Sequence, residues 1–297
     1  MAMCPVLKSC LYNAVMLLRS VIGEFLIALR EAFEAALIIA IAYSYVRKVG
    51  GHIYAKYLWY GSFLAMLSGL FAGIYVWILY GSLSRSTQLL FEFASAWTAT
   101  TVLSSVIYWM TTKAPYLKQD IEQRVATYMS KGETVGLGVF AFIAVFREAV
   151  EMVLFLTPFI IITPLFSFIG VTMGILAALV LAYVIFAIGV RLNIRRFFYM
   201  TAVLLILIAG GLAGYGAHEF VEYAEESGIE LGWLSEIAYS LPIQQSDPLH
   251  HKGIIGSIFA VMVGYTVKAE WLRVILHVSY LLVALPAIIY KYRSVKS

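Results

Sequence analysis

Long apolar runs constrain this chain more than any other feature. Stretches of 20 or more apolar residues recur along its 297 residues, at about 13–45, 57–80, 89–111, 135–162, 165–190, 197–217 and 253–290. A bilayer core about 30 Å thick needs about 20 such residues per helix. In lipid every backbone polar group must be satisfied within the segment, so the runs are expected to be helices. A transmembrane β-barrel would alternate with period two, and these runs do not. The expected fold class is therefore all-α, a polytopic membrane helix bundle with about seven transmembrane helices. Only 13% of residues are charged and 62% are hydrophobic, far from a soluble or disordered composition. The formal net charge of +4 sits at the ends of apolar runs, which argues against a nucleic-acid partner. No Pro-rich linker or low-complexity tract divides the chain, so residues 1–297 read as one membrane-embedded domain. The last run is broken by Lys268, Glu270 and Arg273, and reads as a final span preceded by a half-helix or re-entrant piece. The first residues lack a basic region and a small-residue cleavage site, so no cleaved leader is expected. Cys4 and Cys10 leave their redox state open.

Lys and Arg set the expected orientation. Arg47, Lys48 and Lys56 follow the first run; Lys113, Lys118, Arg124 and Lys131 follow the third; Arg191, Arg195 and Arg196 follow the fifth; Lys291, Arg293 and Lys296 end the chain. The alternate connections hold Arg85 and Lys252, with Lys8 at the N-terminus. The N-terminus is expected outside and the C-terminus in the cytoplasm of a multi-pass cell-membrane protein. Seven of the 17 acids lie between Ala217 and Lys252, on the expected outer side.

Charge inside two of the runs carries the chemistry. Phe25 stands five residues before Arg30-Glu31-Ala32-Phe33-Glu34, and Phe142 five before Arg147-Glu148-Ala149-Val150-Glu151. The repeat implies duplicated units at about 13–112 and 135–223, each with three spans, so the second copy is inverted. Glutamates at i and i+3 share a helix face. Two such pairs on antiparallel helices place four carboxylates around one point. Each charge at a helix centre costs roughly 2.5–3.5 kcal/mol on insertion scales, so these groups must face one another, water or an ion. With all groups ionised the two motifs sum to −2, which a cation would complete. Oxygen-only donors suit a hard cation such as Fe3+, Mn2+, Mg2+ or Ca2+, and the lack of His or Cys argues against zinc or copper. The plain alternative is that the Arg–Glu pairs only lock two helices together; duplication and excess negative charge count against it.

At these residues the chain resembles the oxidase-dependent iron permease family, whose signature is Arg-Glu-Gly-x-Glu in the first and fourth spans. Ala32 and Ala149 stand where the family usually has Gly. Glu92, Trp109-Met110, Ala209-Gly210-Gly211-Leu212, His218-Glu219 and Gly264-Tyr265 are further points of similarity. The resemblance implies Fe3+ transport inward through Glu31, Glu34, Glu148 and Glu151, with no resident cofactor, iron as cargo, and a separate ferroxidase or iron-delivery partner. Arg30 and Arg147 would hold the carboxylates. Glu24, two turns before Glu31, Glu92 at the start of the third span, and Glu219 at the end of the sixth are further candidate metal ligands. His218, Glu222, Glu225 and Glu226 could collect cations, or form a solvated helix extension. His277 reads as a hydrogen-bonded core histidine, His250-His251 as plain loop, and Trp59, Tyr60 and Trp109 as interfacial anchors. Gly69-x-x-x-Gly73 and Gly210-Gly211-x-x-Gly214 suggest close helix packing. The chain has no P-loop and no His-Glu-x-x-His. Transport of Mn2+ or Pb2+, a diiron-type redox enzyme and a purely structural role are the rivals.

Overall fold

A computed structural model describes residues 5–113, 116–162, 164–186, 194–244, 247, 249–250, 256, 259–260 and 263–294. Seven of the described helices follow the apolar runs and α4 lies between two of them: α1 Pro5–Lys48, α2 His52–Gly81, α3 Arg85–Lys113, α4 Leu117–Ser130, α5 Thr134–Ile162, α6 Pro164–Phe186, α7 Ile194–Glu226 and α8 Trp271–Ser294. The short strands β1 Ile237–Ser240 and β2 Lys268–Glu270 complete the described elements with one 3-10 turn at Gly232–Ser235. Five helices, α2, α3, α6, α7 and α8, are long and apolar enough to cross a membrane. In α1 and α5 every 18-residue stretch of the side-chain-described part, 21–48 and 134–159, holds at least three charged residues, because the two Arg-Glu-Ala-x-Glu motifs sit centrally in them. Helix α4 is 14 residues long and too short to cross. Its Ile121 and Val125 are buried in the core while Lys118 stays exposed, so it lies along one end of the bundle.

Pairs of contacts fix the helix directions. On α2, Gly61 lies against Gly138, Gly69 against Ala149 and Gly73 against Val153 of α5, so α2 and α5 run parallel. On α6, Gly170 lies against Val21 and Gly174 against Phe25 and Ala28 of α1, so these two also run parallel. The turn from α1 to α2 spans only Val49–Gly51, and Tyr43 meets Trp59 edge to face across it, so α2 returns antiparallel to α1. Hence α5 runs antiparallel to α1. Glu92 of α3 meets Tyr215 of α7, and Thr100 meets Ala209, which makes α3 and α7 antiparallel. Gly210 and Gly214 of α7 meet Leu281 and His277 of α8, again antiparallel. One end of the bundle collects Arg47, Lys48, Lys56, α4 and Lys291; the other collects Glu222, Glu225, Glu226 and Glu230.

Glycine permits the tightest of these approaches. A Cβ on Gly61 would overlap the Gly138 carbonyl, and one on Gly170 would lie 2.8 Å from the Val21 carbonyl oxygen. Gly138 stands nine residues before Arg147, and Val21 nine before Arg30. Gly61→Ala is therefore expected to destabilise the protein by about 1–3 kcal/mol through overpacking. Gly73→Ala, whose Cβ would sit at an ordinary 3.5 Å from Val153, is expected to be nearly neutral. Thermal unfolding in detergent, followed by tryptophan fluorescence, distinguishes the two.

The sixth run, expected to end near residue 217, continues helical to Glu226. The last run is broken at Lys268 and Glu270 as expected, but by a strand: they form β2, paired antiparallel with β1. Arg273 does not break it, because α8 begins at Trp271, whose N–H bonds the Glu236 carbonyl at 3.0 Å, and carries Arg273 inside it. Most of the expected half-helix, like Cys4 and His251, lies outside the described residues. Gly264, at φ +68°, lets the chain before β2 press against Gly211 of α7.

Candidate functional site

The two motifs meet inside the bundle. Glu31, Glu34 and Glu148 each place a carboxylate oxygen within 4.8 Å of the others, and all three are buried. This follows from helix geometry: i, i+3 spacing puts both carboxylates of a pair on one face, and antiparallel α1 and α5 bring the two faces together. Arg30 bridges its own pair, with Nη1 donating to Glu31 Oε1 and Nη2 lying 2.8 Å from Glu34 Oε1. Arg147 Nε donates to Glu151 Oε1 at 2.8 Å and stands 3.9 Å from Glu148 Oε1. One oxygen each of Glu31, Glu148 and Glu151 remains buried with no arginine, hydroxyl or backbone N–H donating to it. Leaving a buried acceptor unsatisfied is unfavourable by about 1–3 kcal/mol, more for a charged group. Oxygens left over around one point are suited to a cation.

The third motif position has a packing reason. Ala149 faces away from the carboxylates, toward α2, where a Cβ on Gly69 would come within 2.6 Å of its methyl. A small residue here lets α2 lie directly behind the second acidic pair.

The remaining candidates do not join this cluster. Glu24 is fully buried between α1 and α6; its Oε1 accepts from Ser167 Oγ at 2.8 Å and its Oε2 has no donor. At 1.5 Å rise per residue it stands about 10 Å along α1 from Glu31. Glu92 and Glu219 belong to a second group toward the acidic end. The Tyr80 hydroxyl donates to Glu92 Oε1 at 2.6 Å, the Tyr215 hydroxyl donates to Glu92 Oε2, and Tyr215 also reaches Glu219. Above them the His218 ring lies 3.5 Å from Glu222 Oε1 and 3.3 Å from Glu270 Oε2. Burial would raise the Glu270 carboxyl, but His218 and its own backbone hydrogen bond outweigh it and hold it below the usual carboxylate range. Arg85 at the start of α3 pairs with Glu222 at 3.2 Å and Glu226 at 3.7 Å, so these acids are partly neutralised.

Tyr80, Tyr215 and Ser167 escape a reading of the sequence alone. Tyr215 stood within reach of one, since it lies four residues before Glu219 on one helix face. Tyr80 and Ser167 gain their partners only through the packing of neighbouring helices. Trp109 is more than an interfacial anchor: the Arg147 guanidinium lies 4.7 Å from its ring centroid. His277 is the hydrogen-bonded core residue expected, with Nδ1 2.8 Å from the Gly210 carbonyl oxygen.

A multi-pass helical bundle with a charged, carboxylate-lined centre defines the class of membrane proteins that handle cations. The chain belongs to the iron permease FTR1 family, whose family model matches residues 21–293. It is 42% identical over 259 residues to a protein of Archaeoglobus fulgidus described as uncharacterized, covering 87% of this chain and 91% of that one. It is 30% identical over 270 residues to the ferrous iron permease EfeU of Escherichia coli O6:K15:H31, covering 89% and 94% of the two chains. Its similarity to the ferrous iron permease EfeU of Yersinia pestis is 29% over 266 residues, covering 88% and 90%. No solved structure matches.

Proposed function

We propose that this chain is an iron permease that carries Fe3+ inward, with Glu31, Glu34, Glu148 and Glu151 as the transient ligands. The observation that carries the reading is the convergence of three buried carboxylates from antiparallel helices within 4.8 Å. Donor-free oxygens on Glu31, Glu148 and Glu151 support it. Hard oxygen donors favour Fe3+ among the iron states. Arg30 and Arg147 hold the carboxylates and limit their repulsion when no metal is bound. The acidic end faces outside and the basic end the cytoplasm, by the positive-inside rule. A cation would then be drawn inward with about 2.3 kcal/mol per charge per 100 mV. Glu219 and Glu92 form the outer approach and Glu24 flanks the central cluster. Alternating access about α1 and α5 follows the inverted repeat at about 13–112 and 135–223, through its symmetry-related couples α1/α6 and α2/α5. A separate ferroxidase polypeptide supplies the Fe3+.

The names of the Escherichia and Yersinia relatives favour a second reading, Fe2+ through the same carboxylates. Radio-iron uptake into vesicles distinguishes them. Uptake is expected to rise when a ferroxidase is added to Fe2+ and to fall when ascorbate keeps the iron reduced. The opposite pattern assigns Fe2+. Equal inhibition of uptake by Mn2+ or Pb2+ and by unlabelled iron would overturn iron selectivity altogether.

A further inference from the structure

The two arginines of the duplicated motif sit in different surroundings. The Arg30 side chain is 4% exposed and spans two carboxylates; the Arg147 side chain is 41% exposed and makes one close bond, to Glu151. Side chains lean toward the N-terminus of their own helix, so Arg147 on α5 leans toward the basic end and Arg30 on α1 toward the acidic end. The ring of Trp109 lies under Arg147, near the C-terminus of α3. The neighbouring Tyr108 ring lies 5.1 Å from the Lys291 ammonium, which places this stretch of α3 toward the basic end. A guanidinium exposed within the span is expensive in hydrocarbon, so its open flank must face water or polar groups. Arg147 therefore stands on the basic side of the carboxylate cluster, where one face of its charge is held by an aromatic ring.

We infer that Trp109 is a positioning residue for transport: its ring holds Arg147 beside Glu151 on the basic side of the cluster, and lets the guanidinium slide off the carboxylate without leaving the site when metal departs. This rests on the proposed role of the carboxylates. A cation–π contact keeps the charge stabilised through that movement, which a plain apolar side chain cannot do. Arg30, enclosed and bonded to two carboxylates, has no equivalent freedom. The two motifs thus divide the work, the first retaining metal and the second releasing it.

The test compares Trp109→Phe with Trp109→Leu in proteoliposomes, both apolar and bulky, only the first having a π face. Trp109→Leu is expected to lower the maximal rate of radio-iron uptake by about 5–30-fold with little change in KM. Trp109→Phe is expected to keep most of the rate. Phenylglyoxal should modify Arg147 faster in the Leu variant than in the Phe variant or the parent, measured on the peptide by mass spectrometry. Equal rates and equal labelling in the two variants would overturn the inference. Glu148→Gln in the same preparation tells its failure apart: normal uptake there refutes the carboxylate reading itself, while impaired uptake there with a normal Leu variant refutes only the part given to Trp109.

Discussion

Glu31→Gln and Glu148→Gln are each expected to reduce iron uptake by at least about 100-fold while the protein still reaches the membrane. Each substitution keeps the shape of the side chain and removes its charge. Both groups belong to the triad within 4.8 Å, and both carry an oxygen with no hydrogen-bond donor. A side chain that merely orients a metal ligand is worth about 10–100-fold in affinity or activity, so a ligand itself should exceed that. If the pairs only locked helices, the Gln variants would lose stability and keep transport, since an amide still hydrogen-bonds across the interface. Uptake normalised to the amount of membrane-inserted protein decides the matter. Normal rates in either variant would refute the assignment of the ligands.

Arg30→Lys is expected to show a different signature, in which transport and stability fall together. The Arg30 fork reaches Glu31 and Glu34 at once from an enclosed position. Lys offers a compact ammonium without the planar fork, so it cannot reproduce both contacts. Breaking a buried ion pair is unfavourable by about 3–5 kcal/mol, because the remaining charge is left uncompensated. The Lys variant retains its charge and should lose a fraction of that, about 1–3 kcal/mol. Arg147→Lys should leave stability closer to the parent, since Arg147 is less enclosed than Arg30 and makes one close carboxylate contact where Arg30 makes two. Melting temperatures in detergent, set beside uptake rates, compare the two arginines. An equal loss of stability in both variants would contradict the difference in burial.

The bundle was largely legible because lipid enforces its own rule. A run long enough to cross must be a helix, and a charge within it must find company. Arg30-Glu31 and Arg147-Glu148 stood out for that reason. Elements that depend on tertiary partners left weaker traces. Helix α4 is short and carries Lys118, Asp120, Glu122 and Arg124, so its two buried residues give little periodic signal. Strands β1 and β2 have four and three residues with an irregular register, and they form because Trp271 and Glu236 are brought together at the head of α8. The extension of α7 to Glu226 carries acids that read equally well as loop. At the central site the convergence of Glu31, Glu34 and Glu148 follows from spacing, whereas Glu151, expected as the fourth member, lies outside that triad and pairs with Arg147. The pairing of Tyr80 with Glu92, of Ser167 with Glu24 and of Trp109 with Arg147 follows from which helices become neighbours, and that is not written in any local pattern.

The parallel pairing of α1 with α6 and of α2 with α5 has a mechanical consequence. Each pair joins a helix from the first half of the chain to one from the second, glycine against backbone, so the halves are clasped like interlocked fingers. They cannot swing apart as two separate blocks without tearing those seams. Whatever shifts to pass an ion must travel as mixed couples, with Glu31 and Glu34 riding beside α6 and Glu148 and Glu151 riding beside α2.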